Sequence, residues 1–261
     1  MINRLVGAVI LVVSLQVQAF SGAPLNLPSL PEPVTNNAVA SAWVDDELHI
    51  MSFMGLGPGK TAKDAHHKAW KLIIKPGGSV GDWQVMPSVP SHDKVTGRLA
   101  AQATTIEDRV YLFGGYPVTT SQRPIPRDAV YAFDASQNTY AKLAPIPVAI
   151  DDAVALPYRD RYIYLVSGFH RDAGVNLVQV FDSHKNEWQQ ASPFPGRPVF
   201  GHAGGIVDNQ MLICDGVTTI PSMLDRPKFE LKAACYLGEI DVTNPLNIRW
   251  YAWVHPTDKP R

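Results

Sequence analysis

Two adjacent carboxylates, Asp151 and Asp152, follow an apolar run in the stretch PIPVAIDDAVAL (145–156). Neighbouring carboxyls can divide acid and base work between them, or gather oxygen ligands around a hard cation. The structural alternative is a solvated turn in which one Asp caps backbone amides. His202 stands among small residues in GHAGG (201–205), which permits close approach of a ligand or of another backbone. A histidine there can move protons near neutral pH, or can be a hydrogen-bonded core residue. Arg98 can grip a carboxylate with both arms of its guanidinium, or bond to neighbouring backbone. His170, Arg171 and Asp172 put three ionisable groups in a row, which suits sugar or anion contacts as well as plain solvation. The candidate catalytic residues are therefore Asp151, Asp152 and His202. The candidate ligand-binding residues are Arg98, His170, Arg171, Asp172 and Asp215, the last at the foot of a long loop.

Two other patterns carry less. MGLGPGKT (54–61) is near the GxxxxGK[ST] phosphate loop, but Met54 stands where the first Gly must be. His66 and His67 are adjacent, and in a strand adjacent side chains point to opposite faces, so they do not share one metal ion. No metal site and no cofactor are expected.

The elements that position these residues repeat along the chain. A short apolar strand recurs as LHIMSF (48–53), VYLFGG (110–115), IYLVSG (163–168) and MLICDG (211–216). A second strand ending in Asp recurs as AVYAFD (129–134), LVQVFD (177–182) and YLGEID (236–241), with a looser version at 69–74. An aromatic follows each: Trp83, Tyr140, Trp188 and Trp250. Proline-spaced exits close the first three units, MPSVP (86–90), LAPIP (143–147) and SPFPG (192–196), and LPSLP (27–31) precedes the first. Each unit reads as four short antiparallel strands, a sheet that needs neighbours on both faces.

This unit resembles the kelch repeat, with a double-glycine position after an apolar strand and then a spaced aromatic pair. Only Gly114 and Gly115 keep both glycines; Ser52 with Phe53, Ser167 with Gly168, and Asp215 with Gly216 occupy the slot elsewhere. The resemblance covers 36–261 and implies an all-β, kelch-type β-propeller of four-stranded antiparallel blades. About four are present, at 36–92, 93–148, 149–197 and 198–255, an incomplete set relative to a six-bladed ring. The segment 20–35 is expected to be a linker or closing strand that completes the last blade. An open ring would expose two apolar blade faces and invite self-association. The resemblance extends distantly to secreted bacterial sialic acid mutarotases and to the central domain of galactose oxidase. It implies a choice between a binding propeller, for a glycan, small molecule or protein, and a sugar mutarotase or epimerase using Asp151, Asp152 or His202. The Tyr–Cys crosslink and copper ligands of the oxidase have no counterpart here.

In a propeller of this kind the longer loops, at 55–68, 116–127, 169–176 and 217–232, share one face. The first residues of the inner strands, among them Arg98, Asp151, Asp152 and His202, are expected to ring the channel on that face. In the same alignment Cys214 ends one strand and Cys235 begins its antiparallel neighbour. The pair forms either a disulfide or two buried thiols. Trp83, Tyr140, Trp188 and Trp250 recur with the repeat and are expected to pack between blades, not to serve as sugar platforms.

Composition fits that scheme. Hydrophobic residues make up 46% of the 261, and 22 prolines with 19 glycines suit a turn-rich all-β chain. A net charge of −1 without a basic tract excludes a nucleic-acid stripe or an anionic-membrane patch. Arg4, the apolar stretch 5–17 and the small residues Val17 and Ala19 form a secretion signal (1–19) cleaved after Ala19. The expected address is the periplasm or the exterior, with no membrane contact beyond the signal.

Overall fold

The computed structural model describes residues 25–91, 95–118, 125–220 and 228–255, with 257 and 259. The leader expected at 1–19 lies outside the described residues. Four four-stranded antiparallel sheets follow one another along the chain. Blade I comprises Ala38–Val44, Glu47–Leu56, Ala65–Ile74 and Gln84–Met86. Blade II comprises Gln102–Ile106, Arg109–Phe113, Val130–Asp134 and Thr139–Lys142. Blade III comprises Val154–Tyr158, Tyr162–Val166, Val178–Asp182 and Glu187–Gln190. Blade IV comprises Ala203–Val207, Gln210–Cys214, Cys235–Ile240 and Ile248–Trp253. The first strand of each blade lies innermost, and those of blades I and II, II and III, and III and IV are neighbours. No comparable contact joins blades IV and I among the described residues. The blades form an open arc of a propeller.

Successive side chains of a strand point to opposite faces, so a strand buried on both faces reads as an unbroken apolar run. Val110 and Leu112 pack with Phe53, Met51 and Ala69 of blade I. Their neighbours Tyr111 and Phe113 turn the other way, to Ile163, Leu165 and Phe181 of blade III. Tyr164 and Val166 in turn meet Met211 and Ile213 of blade IV. Each middle strand thus belongs to two cores. At the ends of the arc the runs are left open, with Val39, Trp43 and Val85 exposed on blade I and Val207, Leu212 and Trp253 on blade IV.

The recurring aromatics stitch the blades together. Trp188 Nε1 donates to the Ala144 carbonyl at 2.9 Å, in the exit of blade II. Tyr140 does the same to Pro87 at 3.0 Å, and Trp250 to Ser192 at 3.5 Å. Trp83 donates to the Pro28 carbonyl at 2.9 Å. Each acceptor stands two residues before an apolar residue: Pro87 before Val89, Ala144 before Ile146, Ser192 before Phe194 and Pro28 before Leu30. The segment 27–31 therefore sits on blade I as each blade exit sits on the next blade. This corrects the expected closing strand: blade IV takes its fourth strand from Ile248–Trp253, and 27–31 takes the place of an exit before blade I.

The double-glycine slot also becomes clear. Two consecutive left-handed residues end the second strand of blades II–IV and form the bulge in that of blade I: Met54 with Gly55, Gly114 with Gly115, Ser167 with Gly168, and Asp215 with Gly216. In blade I the slot is thus Met54 and Gly55, not Ser52 and Phe53, because that strand runs on to Leu56 through a bulge. The second residue is always Gly, since a Cβ there would stand 2.8–3.1 Å from a carbonyl oxygen of the lead-in segment: Thr35, Leu99, Asp151 or Phe200. The first position tolerates side chains; Ser167 Oγ uses it to reach the Val175 and Val199 carbonyls, each at 2.7 Å. Gly168→Ala should lower stability by roughly 2 kcal/mol or more, from a strained φ and the carbonyl contact together. A shift of the urea midpoint at unchanged slope is the measurement, and a variant as stable as its parent would refute this account.

Candidate functional site

The lead-in residues gather at the inner end of the blades on the long-loop face. Thr35 bridges Leu56, Leu99 pairs with Tyr116, Asp151 bridges Phe169, and Phe200 bridges Val217. One backbone hydrogen bond then joins each lead-in to the next. Ala100 N donates to Asn36 O at 3.1 Å, Asp152 N to Ala100 O at 3.1 Å, and Gly201 N to Asp152 O at 2.9 Å. Asn36, Ala100, Asp152 and Gly201 all take a left-handed φ, between 48° and 60°. Asp152 suits that conformation, as Asn and Gly do, so a structural reason for it exists.

Asp151 has no such reason. It occupies a place that the other blades fill with Leu99, Phe200 and Thr35, and it is 4% exposed. Burial, helped by the charge of Asp152, pushes its carboxyl up to about 8. Burial raises Asp152 to about 6. Burial raises both, and the charge of Asp152 raises Asp151 further, which works against the two ionising together. The Tyr116 phenol, half-buried, is pushed up by burial and by both aspartates, which places it against them electrostatically. Three phenyl rings continue the wall from Asp151. Phe169 and Phe200 lie 4.8 Å apart between centroids, and Phe229 lies 5.7 Å from Phe200.

The structure sorts the other sequence candidates. His170 is beside the pair in the chain fold: its ring Nδ1 donates to the Ala149 carbonyl at 2.6 Å. Arg171 and Asp172 form the tip of the ribbon Phe169–His170 with Ala173–Gly174. His202 is buried at 9% exposure, and its Nε2 donates to the Val166 carbonyl at 3.0 Å. Burial pushes it down to about 4, so it is a neutral core histidine in the seam of blades III and IV. Arg98 does not line the channel either. It is 3% exposed, donates from Nη1 to Gly114 O at 2.6 Å, and lies over the Tyr131 ring in the seam of blades I and II.

Asp215 is the first residue of the blade IV double turn, and its Oδ1 accepts from His255 Nε2 at 2.6 Å. With Phe194, Arg197, Lys232 and Tyr236 it lines a cleft of about 180 Å³ between blades III and IV. Cys214 and Cys235 are cross-strand partners and form a disulfide. It closes the base of the ribbon Val217–Ile220 with Lys228–Leu231. The longer loops of blades III and IV are thus partly ordered β-ribbons. His66 and His67 diverge as expected, His66 edge-on to Trp70 and His67 bonded to Val95 O. Among the described residues no cluster of three His, Cys, Asp or Glu is arranged to hold a metal ion.

Sequence reasoning missed Tyr116, Phe169, Phe200 and Phe229. The first two had a signal: each directly follows the left-handed pair of its blade, as Leu56 and Val217 do.

No family model matches the chain. Kelch-like protein 15 of Mus musculus is 25% identical over 114 residues, 44% of this chain and 18% of that protein. Kelch-like protein 35 of Mus musculus is 30% identical over 101 residues, 38% of this chain and 16% of that one. Kelch-like protein 33 of Homo sapiens is 24% identical over 137 residues, 52% and 24% respectively. The chain thus spans a quarter or less of the length of these curated relatives. The solved structure of YjhT superposes with a TM-score of 0.65 at 16% identity, covering 88% of this chain and 68% of that one. That likeness concerns the fold.

A pH dependence follows from Asp151. Its folded value, about 8, lies above the ordinary carboxylate value of 3.8. The folded state therefore binds more protons between these limits, and stability falls as pH rises through them. Below about pH 6.5 the lowered His202 acts in the opposite sense, so the window is pH 6.5 to 8.5: urea midpoints should decline there, and Asp151→Asn should flatten the decline and exceed the parent at the alkaline end. A flat parent profile would show that Asp151 is solvated.

Proposed function

We propose that this chain, a kelch-type β-propeller, binds a small polar ring-shaped ligand, in the first instance a sugar, at the inner end of its long-loop face. The observation that carries this is Asp151, a buried carboxyl where the repeat otherwise places Thr35, Leu99 and Phe200. Burying a carboxyl without a structural need costs stability, and a ligand hydroxyl at that place gives it a purpose. Asp151 donates, Asp152 accepts, and the neighbouring rings cover the apolar face of the ligand. The apolar stretch at 5–17 and Ala19 support export before the protein works, in a periplasm or outside the cell.

A second role uses the same pair. An acid adjacent to a base can open and close a sugar hemiacetal, as in the sialic acid mutarotases that the repeat resembles. Asp151 would give its proton to the ring oxygen while Asp152 takes the proton of the anomeric hydroxyl. The bond from the anomeric carbon to the ring oxygen then breaks, and re-closure on the other face returns both protons. No oxidant and no cofactor enter this step.

Line-broadening and saturation-transfer NMR on a panel of reducing sugars tests both. Binding should appear in the parent and weaken by about tenfold or more in Asp152→Asn, the loss of a charged hydrogen-bond partner. Faster anomer exchange that vanishes in Asp151→Asn and Asp152→Asn identifies the mutarotase; binding without exchange leaves the protein a lectin-like propeller. Absence of binding across the panel removes the sugar reading.

A further inference from the structure

The two-stranded ribbon Val217–Ile220 with Lys228–Leu231 rises beside the carboxyl pair and carries an unusual surface. Phe229 is 57% exposed and Leu231 58% exposed, on the ribbon side shared with Val217 and Thr219. Thr218, on the reverse side, is only 2% exposed. A ribbon made merely to be solvated would show the opposite pattern. The ribbon is also held in place from two sides. The disulfide Cys214–Cys235 closes its base, and Gly174 N donates to Thr219 Oγ1 at 3.4 Å from the ribbon of blade III.

Phe229 is backed by other rings. It meets Phe200 at 5.7 Å with planes 79° apart, and Phe169 at 6.4 Å with planes 60° apart. Phe169 and Phe200 are the bridge partners that lead to Asp151 and Val217. Phe229 is thus braced by the collar and still exposed. Next to Phe200, a Cβ added to Gly201 would meet no atom within 4 Å, so space opens at that point. The Gly201 amide is already given to the Asp152 carbonyl, which puts the opening beside the carboxyl pair.

We propose that Phe229 is the stacking platform of the ligand site, so that the ligand is a saccharide whose apolar C–H face lies on Phe229 while a hydroxyl reaches Asp151 and Asp152. The proposal rests on the sugar reading of the carboxyl pair. Stacking on a braced ring needs one flat apolar face about the size of a pyranose. A protein partner would need several hundred Å² of contiguous surface, more than Phe229 and Leu231 alone present. A rigid aromatic ring also gives contact area at low entropic cost.

The test uses the full chain with three probes, galactose, N-acetylglucosamine and N-acetylneuraminate, each titrated by saturation-transfer difference NMR. For a probe that binds, saturation should concentrate on the C–H protons of one ring face. Phe229→Ala should weaken binding about tenfold and even out that pattern, since the stacked ring supplies both contact area and a preferred geometry. Phe229→Tyr should keep both affinity and pattern, whereas Phe229→Leu, apolar but without a π face, should not. With a side chain more than half exposed, melting curves of these variants should match the parent; were Phe229→Ala to unfold, the Tyr–Leu comparison still decides. If a probe binds the parent and Phe229→Ala with equal affinity and equal pattern, the platform is wrong and the carboxyl site stands. If no probe binds the parent, the sugar reading itself fails and the platform with it.

Discussion

A peptide carbonyl pressed against a glycine sets the register of every blade. Where the second strand ends, two left-handed residues turn the chain, and the second of them lies on the carbonyl of the incoming lead-in segment. Nothing larger than hydrogen fits there. The contact fixes the lead-in, the lead-in fixes the start of the inner strand, and hydrogen bonds from Ala100, Asp152 and Gly201 tie one lead-in to the next. The floor of the site is therefore backbone, rigid and the same in every blade. Side chains placed on it are free to differ.

That separation of frame and content sets Asp151 apart from its neighbour. Asp152 occupies a left-handed position that Asn36 and Gly201 also occupy, and its presence satisfies the backbone. Asp151 puts a buried carboxyl where the other lead-ins carry Thr35, Leu99 or Phe200, and that carboxyl weakens the fold as pH rises. Natural chains keep such local conflicts where they serve a site. The same logic demotes His202 and Arg98. Both are buried and both donate to backbone carbonyls, which ties them to the seams.

The fold was legible because its marks are periodic and each has one physical cause. Asp134, Asp182 and Asp241 accept from amides of the turn that follows. Trp83, Tyr140, Trp188 and Trp250 each reach a blade exit. The slot in blade I was misplaced by two residues because its second strand is ten residues long and bulged, and Met54 does not look like a glycine. The site was only half legible. Adjacent carboxylates stand out in a sequence, but whether an Arg or His points into a seam or toward the channel depends on side-chain direction at a strand end. Phe229 carried no periodic mark, since the ribbon that bears it belongs to blade IV alone. The cysteines were ambiguous until the register made Cys214 and Cys235 direct partners.

The exit stitches have a mechanical consequence. Each seam is a zipper of apolar side chains that an aromatic-to-carbonyl bond helps to close, and the seams I–II, II–III and III–IV are joined in series along the chain. Tension applied at the two ends of the arc loads all of them together, and the weakest gives first. Trp250 holds Ser192 at 3.5 Å, against 2.9–3.0 Å in the other stitches. Blade IV has further ties at that seam, where Ile248 N donates to Ser192 Oγ at 3.0 Å and the Tyr164 hydroxyl of blade III to the Pro245 carbonyl at 2.6 Å. The disulfide within it leaves the ribbon loop a closed loop after the seam has parted, so the detached blade lengthens by less than its residue count.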